Sequence, residues 1–581
     1  MIPEAKVEIR FDGSTWVNVS SPTNYVKLAA GLNITRGRDN EAGDAINPGT
    51  FSFTLENNDG RFSPGLTTSP YYPYVVEGVA VRVSMLVDGS YRPRAYGTVQ
   101  SWSVSWLGGS AESCVCLVTC TDSLGAFPSY TLRQPADEVV RALSETVAHW
   151  PLRDSEGPIS SLIGPATIAV NEPTIGGLGA GSNPLAMEDG TDKHPSFTSG
   201  AGGLQLTATD IPVSMTASQW RVRFILFSAP TAGCTLLRFG GPSGPLDFAW
   251  STTLGFTCAL MTTSGLPASY PIVVELGNPG GSTLYTRWAD ASGTVTSVNT
   301  PTGYVYYAPN KITVNPVLSG GAVWSIAHLA EMTGIPDSTA LGNFAKAILG
   351  SRIPESVAVA SQLSTWAGGP TITGATVGEC VIPPLEGRDA ADAIGALVTG
   401  MGARLVDDLA GGLEWVPFAP STTPIALPSG EIDPSLTWET SDVRWCTEAT
   451  VTRYDGQAYT ASNPGGKPQS VAIEGVHATW SKDRSYADWL VNTSNTDPRL
   501  SSASYELLSL DEADAASLCG ITVGSRVTIT DLPTQVPAGT LTAIVEGIED
   551  SISDVAWMLT LKLSPDVYSR LFILDDPVQG V

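Results

Sequence analysis

Alternation of apolar and polar positions runs through roughly the first 125 residues. Val7 to Phe11 alternates, Asp12-Gly13 offers a turn, and Trp16 to Val19 resumes the pattern, which predicts a β-hairpin. Thr50 to Leu55 (TFSFTL) alternates strictly and runs into Asn57-Asn58-Asp59-Gly60, where Asp-Gly supplies the positive φ angles of a tight turn. Val79 to Met85, Ala95 to Val104 and Ser113 to Thr121 read as further strands. Antiparallel pairing with half-buried faces is the simplest arrangement for such a series.

The period then changes. Ala136 to Val147 (ADEVVRALSETV) places Val139, Val140, Leu143 and Val147 on one helical face and meets His149-Trp150-Pro151. From there to about residue 318 the chain is rich in Gly, Ser, Thr and Pro, with strands at Trp220 to Phe227, Thr235 to Phe239 and Ile272 to Leu276, the pattern of a separate β-sandwich. Around Trp324, the residues Ile326, Ala327, Leu329 and Ala330 predict a helix, and Leu341 to Leu349 a second. A longer helix spans about Asp389 to Met401, and Ala403 to Val406, Gly411-Gly412 and Leu413 to Phe418 form a hairpin. Strands return at Glu448 to Tyr454, Gln469 to Ile473, Arg526 to Thr530 and Trp557 to Leu563, with one helix near Tyr486 to Val491. No short-period repeat is found.

At 581 residues the chain exceeds what one core supports, so several domains are expected. Hydrophobic residues make up 42% and charged residues 15%, with 59 Gly and 42 Pro, which favours short strands and tight turns. The net charge of -26, with no Lys/Arg cluster, disfavours specific nucleic-acid binding. Met1 to Arg10 has no apolar core behind a basic segment and no run of 18 apolar residues occurs, so synthesis and retention in a cytoplasm without membrane insertion are expected. The eight cysteines are too sparse for a disulfide framework and are expected to be reduced. Cys114, Cys116 and Cys120 share one strand face, where positions two apart lie about 6.6 Å from each other, too far for an unstrained bridge; core packing is expected.

Candidate chemistry is thin. The four histidines, His149, His194, His328 and His477, form no HExxH, the cysteines form no paired CxxC, and Asp39 to Asp44 (DNEAGD) departs from the EF-hand pattern at its required Gly position. There is no GxSxG elbow, and Gly176 to Gly181 (GGLGAG) has neither a following helix nor a Lys-Ser/Thr pair. Asp154 with Glu156, or Asp407 with Asp408, would suit glycoside hydrolysis only across a cleft, and solvated surface charge is the simpler reading. Trp250, Tyr285 and Trp288 are the aromatics placed to stack on sugars if exposed, or to fill a core if not. No catalytic, cofactor-binding or metal-ligating residue is assigned, and no cofactor is implied.

Leu32 to Arg38 (LNITRGR), Pro48-Gly49-Thr50, Phe51 to Pro64 (FSFTLENNDGRFSP), Ser69-Pro70-Tyr71-Tyr72 and Val81-Arg82-Val83 resemble, in order, the opening of minor tail proteins of siphophages that infect actinobacteria. Gly524 to Pro533 (GSRVTITDLP), Val545 to Ile548 (VEGI) and Trp557 to Pro565 (WMLTLKLSP) resemble their C-terminal part. Val147 to Leu152 (VAHWPL) is similar to the start of laminin-G/concanavalin-like sandwiches inserted in such proteins, although no ligand residue can be carried over.

The resemblance implies a mainly β, multidomain chain in which two tube-like β-domains flank an α+β unit, with an inserted β-sandwich. The expected segments are 1–130, an N-terminal tube-like domain; 131–148, a helical linker; 149–320, the sandwich; 321–440, an α+β hub domain; and 441–575, a C-terminal tube-like domain. The implied role is the tail-tip or baseplate hub of the virion, a homotrimer assembled in the host cytoplasm, which closes the tail tube. Its implied partners are the distal tail protein, the tape-measure protein and other minor tail proteins. A sixfold distal tail protein is the structural alternative. An adhesin that binds a host-surface glycan through the sandwich is the alternative from another class, and a cell-wall glycosidase the enzymatic one. Arg36 to Asn40 and Asn57 to Phe62, polar turns at strand ends, are the candidate ring-contact segments.

Overall fold

The computed structural model describes the chain from Pro3 to Asp566, except for residues 39–47, 107–112, 153–157, 171–194, 335–340, 346–355, 375–379, 418–422, 428–434, 440–445, 463–469 and 494–498 and some shorter stretches. The fold is mainly β and multidomain. Its contacts define two compact units, one of Met1–Tyr130, Pro354–Cys380 and Asp389–Val581, the other of Thr131–Ile353 and Val381–Arg388. The expected segments 1–130 and 441–575 thus share the first unit, 131–148 and 149–320 lie in the second, and 321–440 is divided between them.

Among the described residues of the first unit, thirteen strands make one sheet. Its order runs Val17–Asn18, Ala5–Arg10, Ala80–Val87, Ser90–Trp106, Cys114–Thr121, Thr50–Glu56, Leu32–Gly37, Thr540–Ile552, Trp557–Pro565, Arg499–Glu506 and Ser435–Glu439, while Arg526–Thr530 branches from Thr540–Ile552. The expected alternation is realised: Phe51, Phe53 and Leu55 point into the core and the residues between them are only half buried. Leu32 stands opposite Phe53 on one side and Ile552 on the other, so strands from the two ends of the chain meet through Leu32–Gly37. One core cluster accordingly mixes Phe53, Val81 and Val83 with Val545, Leu559 and Leu561.

The same unit carries helix Ala390–Gly400, whose Ala393, Ile394 and Leu397 are buried, and the antiparallel pair Arg404–Asp407 and Leu413–Val416. A parallel strand, Ile372–Gly374, completes that small sheet. Gly374 is required there, since at φ 142° a Cβ would lie 2.2 Å from the Trp415 carbonyl oxygen. Helix Trp480–Thr493 packs on strands Glu448–Thr452 and Ala458–Ser462, burying Tyr486, Trp489 and Leu490. Two helices escape the sequence reading, Ser356–Ala367 and Glu512–Cys519.

The second unit is a sandwich of two seven-stranded sheets. One contains Thr146–Trp150, Val323–Thr333, Gln219–Leu226, Ile272–Pro279 and Thr283–Ala289; the other includes Leu246–Ser251, Cys234–Gly240 and Lys311–Val314. Trp150, Trp220, Phe224, Phe248 and Trp324 fill the space between them. On the outer face of the first sheet a second cluster joins Ile225, Val273, Ala330 and Met332 to Val140 and to Leu341 and Phe344.

Two expectations are corrected in this unit. The helix predicted around Trp324 is the strand Val323–Thr333, because both of its faces are covered and the resulting apolar run has no strand period to read. The helix predicted over Ala136 to Val147 ends at Arg141; β-branched Thr146 and Val147 open a strand that pairs with Val323–Thr333. The helix expected over Leu341 to Leu349 is helical at residues 341–345, and the remainder lies outside the described residues.

Candidate functional site

The strands that bring the two chain ends together are tied by buried ions. Glu546, on Thr540–Ile552, accepts hydrogen bonds from Arg38 Nε at 3.0 Å, from Arg404 Nε at 2.7 Å and from Ser564 Oγ at 2.6 Å. Burial pushes this carboxyl up, but the two guanidiniums outweigh it and hold it at about 2. A parallel tie joins Arg94 to Asp550, with Nη2 at 2.7 Å, and Trp557 Nε1 donates to the same carboxylate at 2.9 Å. Gly37 allows the strands to approach, since at φ 82° a Cβ would meet the Glu546 carbonyl oxygen at 2.3 Å.

These contacts bear on the candidate ring-contact segments. Arg38 is 4% exposed and spent on Glu546, whereas Arg36 is half buried and residues 39–40 lie outside the described residues. Asn57 is 1% exposed: its Oδ1 accepts from the Phe62 N–H at 2.8 Å and its Nδ2 donates to Ser63 Oγ at 2.9 Å. Phe62 is fully buried against Tyr25 and Tyr71. Within Asn57 to Phe62 the exposed part is thus Asn58 and Asp59, the tip of the turn.

The proposed carboxylate pairs separate into structural roles. Asp154 and Glu156 lie outside the described residues. Asp407 accepts from the Leu409 and Ser123 N–H groups, and Asp408 from the Ala410 and Gly412 N–H groups, so both hold turns. Asp122 does the same for Gly49, Leu124 and Gly125, and burial pushes it up to about 6 despite these donors. The sugar-stacking aromatics are core residues: Trp250, Tyr285 and Trp288 are 4%, 1% and 7% exposed. Cys114, Cys116 and Cys120 are buried free thiols, and burial pushes Cys116 up to about 12. Gly176 to Gly181, Asp39 to Asp44 and His194 lie outside the described residues.

The first unit also has an apolar cleft of about 510 Å³ along helix Ala390–Gly400, lined by Leu124, Phe127, Ile394, Val398 and Ile473, with Asp392 and Glu474 as its carboxylates.

Three groups in the sandwich unit that the sequence reading did not join are neighbours in space: Asp137, His149 and His328. They come from helix Pro135–Arg141 and strands Thr146–Trp150 and Val323–Thr333. Ala148 and Trp150 face the sandwich interior, so His149 faces outward towards the helix. Trp324, Ile326 and Leu329 all face inward, so an extra residue is inserted between the last two, and His328, at φ 52°, lies in that bulge. The two imidazoles stack with centroids 5.7 Å apart, and all three residues are buried. Only the pairing of the sandwich's first and last strands brings these histidines together, and no spacing in the sequence reports it.

No protein-family model and no curated protein matches the chain. Among solved structures it is similar to the prophage MuSo2 43 kDa tail protein from Shewanella oneidensis, with 9% identity, 97% of this chain and 98% of that chain covered, and a TM-score of 0.40. It is similar to the tail protein from Neisseria meningitidis MC58 at 10% identity, with coverages of 97% and 98% and a TM-score of 0.39. Over 35% of its length it is similar to domain 4 of a GH43 extracellular arabinanase from Geobacillus stearothermophilus, solved with arabinotriose, at 14% identity, 98% coverage of that chain and a TM-score of 0.23. At these scores the likenesses assign neither a fold family nor a function to this chain.

Proposed function

We propose that the protein is a structural minor tail protein of a long-tailed phage, forming the tail-tip hub ring that closes the tail tube and connects it to peripheral receptor-binding components. The observation that carries this reading is where the resemblance-bearing segments fall. Leu32–Gly37 and Thr50–Glu56 from one end of the chain and Thr540–Ile552 and Trp557–Pro565 from the other are four consecutive strands of one sheet. Motifs nearly the whole chain apart therefore build one continuous surface, as a ring subunit needs for repeated contacts. The net charge of -26 suits a lumen that passes DNA without adhering to phosphate.

In this reading the chain is a homotrimer located at the virion tail tip, and each copy gives the ring an N-terminal and a C-terminal group of strands. Its partners are the distal tail protein, the tape-measure protein and other minor tail proteins. Mass measurement in solution and electron microscopy, with and without the distal tail protein, test it. A threefold ring around a channel is the expected result; a sixfold ring would move the assignment to a distal tail protein. A stable monomer that never joins the partner ring would end the hub reading and favour an adhesin.

A further inference from the structure

Asp137 Oδ1 lies 3.4 Å from His328 Nδ1 and 3.8 Å from His149 Nε2. Both separations exceed the roughly 2.7–3.2 Å of a direct N–H···O hydrogen bond. Zinc binds imidazole nitrogen and carboxylate oxygen at about 2.0–2.2 Å, which puts neighbouring ligand atoms about 3.4 Å apart in a tetrahedron. The two separations from Asp137 therefore stand within a few tenths of an ångström of the spacing of ligands around one ion, and all three ligand atoms lie within 4.8 Å of one another. Two imidazoles and one carboxylate are a donor set suited to divalent first-row transition metals.

We propose that Asp137, His149 and His328 bind one divalent transition-metal ion, with zinc as the type ion, and that this ion clasps the beginning of the sandwich to its end. Burial argues for a structural rather than a catalytic role: among the described residues the side chains of Asp137 and His149 are fully buried and that of His328 is 2% exposed, which offers no route for a substrate. The elements joined are the helix and strand that lead into the sandwich and the strand that completes it. Fixing segments so far apart in the chain is where a metal clip gains most from loop closure. His328 occupies a left-handed backbone position disfavoured for a side chain, and a ligand role gives a reason for histidine there in place of glycine.

The test uses the full-length protein, stripped with a chelator and titrated with Co²⁺ and then Zn²⁺. Uptake of one ion per chain, with the visible absorption of low-symmetry Co²⁺ displaced by Zn²⁺, is expected. Asp137→Asn, His149→Gln and His328→Gln should each weaken uptake about tenfold or more, and Zn²⁺ should raise the unfolding midpoint of the wild type alone. A folded wild-type protein that takes up no stoichiometric Co²⁺ overturns the site without recourse to any variant. Uptake undiminished in variants that keep the wild-type circular dichroism overturns the ligand assignment, and uptake that leaves the wild-type midpoint unmoved overturns the clasp.

Discussion

Two buried glutamates show how surroundings set the worth of a single charge. Glu546 is held at about 2 by Arg38 and Arg404, below the ordinary 4.5. Its contribution is present above about pH 4.5, where the unfolded chain is also ionised, and is lost as the pH falls towards 2, a swing of about 3 kcal/mol. Glu546→Gln should remove that acid dependence and cost about 3–5 kcal/mol at neutral pH, because two guanidiniums stay buried without their carboxylate. Urea unfolding across pH reads both, and an unchanged acid limb would refute the assignment. Glu331 has the opposite sign. It is fully buried, stands opposite Val222 and Ala148 with neither oxygen hydrogen-bonded among the described residues, and burial pushes its carboxyl well above 4.5. The unfolded chain ionises first, so this glutamate costs stability as the pH rises beyond 4.5. Glu331→Met should stabilise by about 1–3 kcal/mol at pH 7 and by less near pH 4, where only the cost of the uncharged, unbonded carboxyl remains; no gain at pH 7 would show that the carboxyl finds a partner.

At the scale of elements, what the sequence made legible follows from how each element is covered. Thr50–Glu56 and helix Ala390–Gly400 have one face in the core and one outside, so their periods of 2 and 3.6 are written in the residues. Val323–Thr333 is buried on both faces and interrupted by a bulge at His328, which erases the alternation and lets Ile326, Ala327, Leu329 and Ala330 imitate a helix. Helix boundaries rest on caps. Asp389 accepts from the Ala391 N–H at 2.9 Å and, through its second oxygen, from the Tyr130 N–H at 3.2 Å, so one carboxylate starts the helix and anchors the preceding chain. Asp389→Ala should cost about 1–2 kcal/mol and speed amide exchange in the first turn, while Asp389→Asn should cost much less. Equal losses from both substitutions would show that the charge, rather than the cap, does the work.

For the whole molecule, two units with separate cores predict two unfolding transitions in calorimetry, since neither core cluster needs the other to be complete. A single transition with equal calorimetric and van't Hoff enthalpies would contradict that division. Zn²⁺ should move only the transition of the sandwich unit, which ties this measurement to the proposed clasp. The sequence by itself determined the mainly β class and the positions of strands such as Thr50–Glu56, Arg526–Thr530 and Trp557–Pro565, because these depend on side chains a few residues apart. It also placed Cys114, Cys116 and Cys120 in the core and offered two readings of Trp250, Tyr285 and Trp288. Only the tertiary structure decided that those aromatics are interior, that strands from the two chain ends share one sheet across Leu32–Gly37 and Thr540–Ile552, and that His149 and His328 meet over Asp137. Burial and proximity between distant segments are properties of pairs, set by sheet register and chain closure, and no local period records them.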